Sequence, residues 1–300
     1  MSDELRVTSN KNKYDTPSLK KSLVTCHLSL VTCLLLSFQF LTIIPLKIRD
    51  KISEEEIGKA SAFFPLVGAF QGALLVIANL LLRKIFSVEL TNGLLVFLLV
   101  ISNGGFHLDG LADTFDAIAA RGDKEKKLSI MKDSTIGPVG VIAIFLTLLL
   151  KFLALNSLSH LPSSILYPSL FLMPILAKWT MVVSMFHGKP AKEDGLGRIF
   201  IKNVKINTVI FSSFLIILFF VSFVAIQISF YKEIPFNPPI PPLVIFFVVL
   251  FALLYMLSLI SVKFCEKTFG GITGDAIGAI SEITEVVFLL IVVTWSKIFS

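Results

Sequence analysis

The stretch Gly104-Gly105-Phe106-His107-Leu108-Asp109-Gly110-Leu111-Ala112-Asp113-Thr114-Phe115-Asp116 closes an apolar run that begins near Val88. Asp109, Asp113 and Asp116 are spaced i, i+4, i+7, so on a helix they project from one face, close enough to share a cation. Left without a counter-charge they would repel one another. Carboxylates are hard ligands, and Mg²⁺ typically takes one or two of them while keeping other positions for water or phosphate oxygens. In a soluble chain the same spacing would suit a solvated helix face. Beside an apolar run it reads instead as a phosphate-handling metal site, because ionisable groups at membrane depth usually serve function.

Composition supplies that membrane context. Over 300 residues, 55% are hydrophobic and 16% charged, and the mean hydropathy is +0.84, far from the balance of a soluble domain. Runs long enough to span occur at about 23–46, 60–84, 87–108, 136–157, 163–187, 206–231, 242–263 and 276–299. The expected fold is all-α: a polytopic transmembrane helix bundle of about seven or eight segments. Residues 1–22 form a polar N-terminal segment and 23–300 one integral-membrane catalytic domain. No cleaved signal peptide is expected, since no convincing small-residue cleavage site follows the first apolar run.

Charge placement orients the bundle. The stretches 46–59, 109–135, 188–205 and 264–275 carry most of the Lys and Arg, whereas Arg83, Lys84 and Lys232 are nearly all that the alternate connections hold. The basic set is therefore expected on the cytoplasmic side of the cell membrane. The first segment breaks this alternation, because both its flanks are basic; either it is re-entrant or the N-terminus lies outside. The Pro-rich stretch Pro235 to Pro242 is expected as a stiff external connector. A net charge of +6 could signal nucleic acid, but no basic face with interleaved aromatic platforms is visible, so no nucleic-acid partner is expected. Cys26, Cys33 and Cys265 lack paired or zinc-like spacing and read as small hydrophobes.

Further clusters lie in the basic loops. Lys132, next to Asp133, sits in the connection Leu128 to Gly140, and its cation suits phosphate oxygens. The loop Gly188 to Arg198 mixes glycines with charge, letting backbone approach a ligand, and Arg198 offers a planar fork. Gly270-Gly271-Ile272-Thr273-Gly274-Asp275 leads into an apolar helix carrying Glu282 and Glu285. Asp275 and Glu282, seven apart, share a stripe and are candidates for a second ion or an acid/base. His107 precedes the acidic helix and is a minor candidate, as a capping or proton-shuttling group.

Taken in order, Phe40-Leu41-Thr42-Ile43-Ile44-Pro45, Phe64-Pro65-Leu66-Val67-Gly68, the Gly105 to Asp116 motif, Ile130 to Ser134 with Ile136-Gly137, and Gly271 to Asp275 resemble the cobalamin synthase family over nearly the whole chain. The resemblance implies an Mg²⁺-dependent adenosylcobinamide-GDP ribazoletransferase, joining adenosylcobinamide-GDP to α-ribazole or its 5′-phosphate with release of GMP. Carried over, it makes Asp109, Asp113 and Asp116 the metal ligands and Lys132, Asp133, Arg198 and His107 substrate contacts, with Asp275 and Glu282 next. Small-molecule substrates and surrounding lipid are then the partners, with room for an oligomer. Two other classes remain open: a CDP-alcohol-type headgroup transferase, which uses a longer acidic series, and a corrinoid or ion transporter, for which no repeat is evident.

Overall fold

The computed structural model describes residues 19–46, 52–133, 135–230 and 240–299. Most of the polar N-terminal segment, Lys47, Arg49, Lys51, Ser134 and most of the Pro-rich connector lie outside the described residues. Among the described residues there are twelve α-helices and no named strand: α1 (Leu19–Leu41), α2 (Glu54–Ala60), α3 (Phe64–Leu82), α4 (Val88–Ser102), α5 (Phe106–Ala119), α6 (Lys124–Ile130), α7 (Pro138–Leu158), α8 (Ser163–His187), α9 (Gly195–Asn203), α10 (Ile206–Phe230), α11 (Ile240–Phe269) and α12 (Gly274–Phe299).

Six helical stretches are long and apolar enough to span a bilayer, or seven if α4 and α5 together make one bent crossing. This agrees with the expected polytopic bundle, close to the seven or eight segments anticipated. Within α1, Leu30–Leu41 forms a shorter apolar helix. It packs at the motif end of the bundle, where Ser37 Oγ donates to the Ala60 carbonyl at 2.6 Å.

One helix organises the rest. Of the apolar window in α8, 89% is buried inside the protein, against 17% for α11 and 28% for α7 and for α10. A helix apolar on every side and buried by its neighbours is the core of the bundle, and those exposing apolar faces at membrane depth are covered by lipid. Gly68 and Gly72, one turn apart on α3, allow the closest approach to α8. A Cβ at Gly68 would lie 2.6 Å from the Pro174 carbonyl oxygen, and one at Gly72 would fall against the Phe171 carbonyl. Small residues four apart let helix backbones meet in a bilayer, where packing replaces the hydrophobic drive. Trp179 of α8 fills the centre, 1% exposed, and donates from Nε1 to Ser213 Oγ at 3.0 Å.

The motif segments gather at one end. Asn203 backs onto Gly58, and Asp275 backbone onto Gly110. Residues 189–191 and Ile272 pair like adjacent strands through Ile272 N–H to Lys189 O (2.7 Å) and Ala191 N–H to Ile272 O (2.9 Å). At the opposite end Asn92 ties α4 to the α7 terminus through Asn156 and Ser159.

Candidate active site

The expected span 87–108 breaks before its end. α4 stops at Ser102, and α5 leaves it at an angle of 87°. Gly104 (φ 66°) and Gly105 (φ 74°) make the corner in left-handed backbone that side chains rarely adopt. Asn103 Oδ1 accepts from the Gly105 N–H at 3.0 Å and so braces the turn. The acidic helix is thereby laid across the end of the bundle, where α12 and α7 begin.

Gly110 is the crossing point with α12. A Cβ there would sit 2.7 Å from the Asp275 carbonyl oxygen, so its absence lets the first turn of α12 rest on α5. Asp275 follows Thr273, whose Oγ1 caps α12 by accepting from the Ala276 N–H at 3.1 Å. These contacts bring Asp109, Asp113 and Asp275 to one place. Half-buried Asp113 lies in the field of Asp109, Asp275 and, more weakly, Asp116, opposed by Lys192. Lys192 Nζ stands 3.3 Å from Asp275 Oδ2.

Two cavities meet here. The larger, about 450 Å³, is lined by Asn103, His107, Asp109 and Asp275 together with apolar residues of α1, α8 and α9. The smaller, about 190 Å³, is lined by Lys192, Asp194, Arg198 and the 272–275 backbone. They share Leu196, Gly197, Gly274 and Asp275 as a common wall. Gly197 packs against Gly274, where a Cβ would lie 2.9 Å from the Gly274 nitrogen.

The other anticipated residues are placed differently. Asp116 stands at the start of α7, where its carboxylate accepts from the N–H groups of Gly137 (2.7 Å) and Gly140 (2.8 Å). Both its oxygens are thus engaged at a helix N-terminus, which favours negative charge. Among the described residues no group of three His, Cys, Asp or Glu side chains is close enough to hold an ion unaided. Lys132 pairs with exposed Asp194 at 3.5 Å. The Thr135 hydroxyl and backbone N–H donate to Asp133, holding its carboxyl below the usual carboxylate range. Arg198 reaches Glu54 at 3.3 Å through one terminal nitrogen and lines the smaller cavity, while its buried Nε has no partner among the described residues.

Glu282 is not beside Asp275. It lies in the bundle core, where Lys151 of α7 bridges it and Glu285. Lys178 of α8 stands 3.6 Å from Glu285 Oε1, donates to Ser281 Oγ at 3.1 Å, and lies 3.4 Å from His107 Nδ1. Two buried lysines and two buried glutamates balance in charge.

Sequence reasoning passed over Lys192, Asn103, Lys151 and Lys178. For the last two a signal existed, a lone Lys inside each of two otherwise apolar spans, which is expensive at membrane depth unless paired. Nothing in the order of residues 188–198 singles out Lys192 from its basic neighbours.

Comparison with known proteins matches this architecture to one family. The family model described as cobalamin-5-phosphate synthase, CobS, matches residues 33–293. The chain is 35% identical over 262 residues to the adenosylcobinamide-GDP ribazoletransferase of Thermodesulfovibrio yellowstonii, covering 85% of this chain and 94% of that protein. It is 34% identical over 259 residues to the enzyme of that name from Caldanaerobacter subterraneus, with 85% and 94% covered. For the Clostridium tetani protein of the same name the identity is 32% over 260 residues, with 86% and 95% covered. No solved structure gives a significant match. With its family model spanning nearly the whole described bundle and relatives matched over most of their length, the chain belongs to the CobS family of multi-pass membrane transferases of cobalamin biosynthesis.

Proposed function

We propose that the protein transfers the cobinamide phosphate of adenosylcobinamide-GDP to the 3′-hydroxyl of α-ribazole or its 5′-phosphate, releasing GMP. The observation that carries this reading is the junction of two cavities at Asp275, with Asp109 lining one and Lys192 and Arg198 the other, and Asp113 in the field of Asp109 and Asp275. One substrate can enter from each cavity and meet the other at the shared wall.

The residues present fit Mg²⁺. Asp109 and Asp113 offer hard oxygen donors, and with Asp275 in the same field their negative charge outweighs that of the one neighbouring lysine. Asp109 and Asp113 would hold the ion, leaving its other positions for water and diphosphate oxygens. When bound, it would offset charge on the diphosphate and the departing GMP. Asp116, engaged by α7, anchors the acidic helix so that the other acids face the junction.

The chain's own part is positioning and electrostatics, which dominate phosphoryl transfer. The ribazole hydroxyl attacks the phosphorus nearest the cobinamide; the new O–P bond forms as the bond to the GMP oxygen breaks. Asp275 is the carboxylate placed to take the hydroxyl proton. Lys192 neutralises the phosphoryl oxygens, with Arg198 beside the leaving nucleotide. Lys132 and Asp133, exposed at the rim, meet the substrate only on entry. The basic loops at this end support a site open to the cytoplasm.

Purified protein in lipid, given Mg²⁺ with adenosylcobinamide-GDP and α-ribazole, should release GMP and form the corrinoid product. Turnover of CDP-diacylglycerol with an alcohol acceptor, and none of the corrinoid donor, would overturn the reading.

A further inference from the structure

Asn103 is 1% exposed and lines the larger cavity. Its Oδ1 is taken by the Gly105 N–H, which fixes the way the amide faces. Its Nδ2 has no partner among the described residues. A buried donor left unsatisfied costs about 1–3 kcal/mol, so a ligand that accepts a hydrogen bond here recovers that cost on binding.

The rest of the cavity restricts what that ligand is. Phe40 and Phe200, with ring centroids 4.5 Å apart, join Met181 in an apolar wall suited to a flat aromatic face. Asp109 and Asp275 line the same space and accept hydrogen bonds from hydroxyls. At about 450 Å³ it is of the size that encloses a drug-sized ligand, roughly 300–1,000 Å³, and far too small for a corrin with its side chains and nucleotide. A planar base bearing an acceptor atom, attached to a sugar bearing hydroxyls, satisfies all of these at once.

We propose that the larger cavity is the ribazole subsite. Asn103 Nδ2 donates to the unsubstituted ring nitrogen of the base, and the ribose faces Asp109 and Asp275. The inference rests on the transferase reading above and deepens it: the smaller Lys192 and Arg198 recess is left for the diphosphate of the corrinoid donor. Asn103 is then a specificity-determining residue, and the two left-handed glycines after it hold its amide toward the base.

The test compares α-ribazole with the indole riboside in which the unsubstituted ring nitrogen is replaced by CH. Both equilibrium binding and steady-state turnover are measured on the full-length protein in lipid. The wild type should bind the indole riboside at least about tenfold more weakly, the size of one unpaired buried donor, with a matching rise in KM. Asn103→Asp keeps an oxygen for Gly105 and replaces the donor with an acceptor. It should raise the ribazole KM by a similar factor, leave the KM for adenosylcobinamide-GDP unchanged, and abolish the discrimination. The wild-type comparison needs no variant, so a misfolded Asn103→Asp leaves the test intact. Turnover without discrimination against the indole riboside, or an Asn103→Asp effect confined to the corrinoid donor, would overturn the subsite and leave the reaction standing. Discriminating binding of ribazole with no GMP release would overturn the reaction and leave the subsite standing.

Discussion

Lys192 and Lys151 show how differently one residue type serves in this bundle. Lys192 is a partly buried cation at a carboxylate junction, lining a cavity where its charge remains available to a phosphate. Replacing it by Ala should lower kcat by about 10²–10³, as for loss of one transition-state donor, while Lys132→Ala at the exposed rim changes kcat far less. Rapid-quench measurement of GMP formation separates the two. Lys151 is 2% exposed and bridges two buried glutamates. Lys151→Met strands both acids in the core and should cost about 3–5 kcal/mol, read as a lower Tm in detergent; adding Glu282→Gln should recover part of it. The acids at 109, 113 and 275 were legible in the sequence because carboxylates in an apolar chain demand a partner. Which partner each has depends on neighbours distant in sequence. Asp116 lies on the same helical face as Asp109 and Asp113, yet its oxygens meet Gly137 and Gly140, more than twenty residues away.

Helical elements were the most legible part of the chain, since unbroken apolar runs of about 20 residues have few other folds in a bilayer. The span expected to end at residue 108 misled, because hydropathy does not register a corner. Gly104-Gly105 held the signal, and only backbone geometry gives its 87° bend. That corner places α5 across the starts of α7 and α12, so it matters to the site as much as any acid. Gly105→Ala should strain the left-handed position and move Asp109 and Asp113 relative to Asp275. Activity is expected to fall more than stability, checked by comparing kcat/KM with Tm. At Gly72 the reverse holds. A side chain there meets the Phe171 carbonyl of the central helix, so Gly72→Val should lower Tm sharply, the overpacking cost being about 1–3 kcal/mol or more.

The molecule as a whole is a bundle around α8 whose motif loops all lie at one end. The excess of Lys and Arg in alternate connections is the sequence signal from which the cytoplasmic side is proposed. Convergence of those loops into two adjoining cavities was beyond sequence, because it depends on how α9 folds back beside α12 and on close packing at Gly197 and Gly274. Cys33 and Cys265 are buried, so Lys126→Cys introduced together with Cys26→Ser gives a topological probe. It should react with a membrane-impermeant maleimide from the cytoplasmic side and not from outside.

Asp109 and Asp113 are proposed to hold the ion that supports transfer, with Asp116 as the anchor of their helix. Single-turnover GMP release from adenosylcobinamide-GDP and α-ribazole across a Mg²⁺ titration, for wild type, Asp113→Asn and Asp116→Asn, decides this assignment. Asp113→Asn should lose the Mg²⁺-dependent phase or need far more Mg²⁺, whereas Asp116→Asn should lower stability and keep the wild-type Mg²⁺ requirement. An unchanged Mg²⁺ dependence in Asp113→Asn, or a shifted one confined to Asp116→Asn, would contradict it.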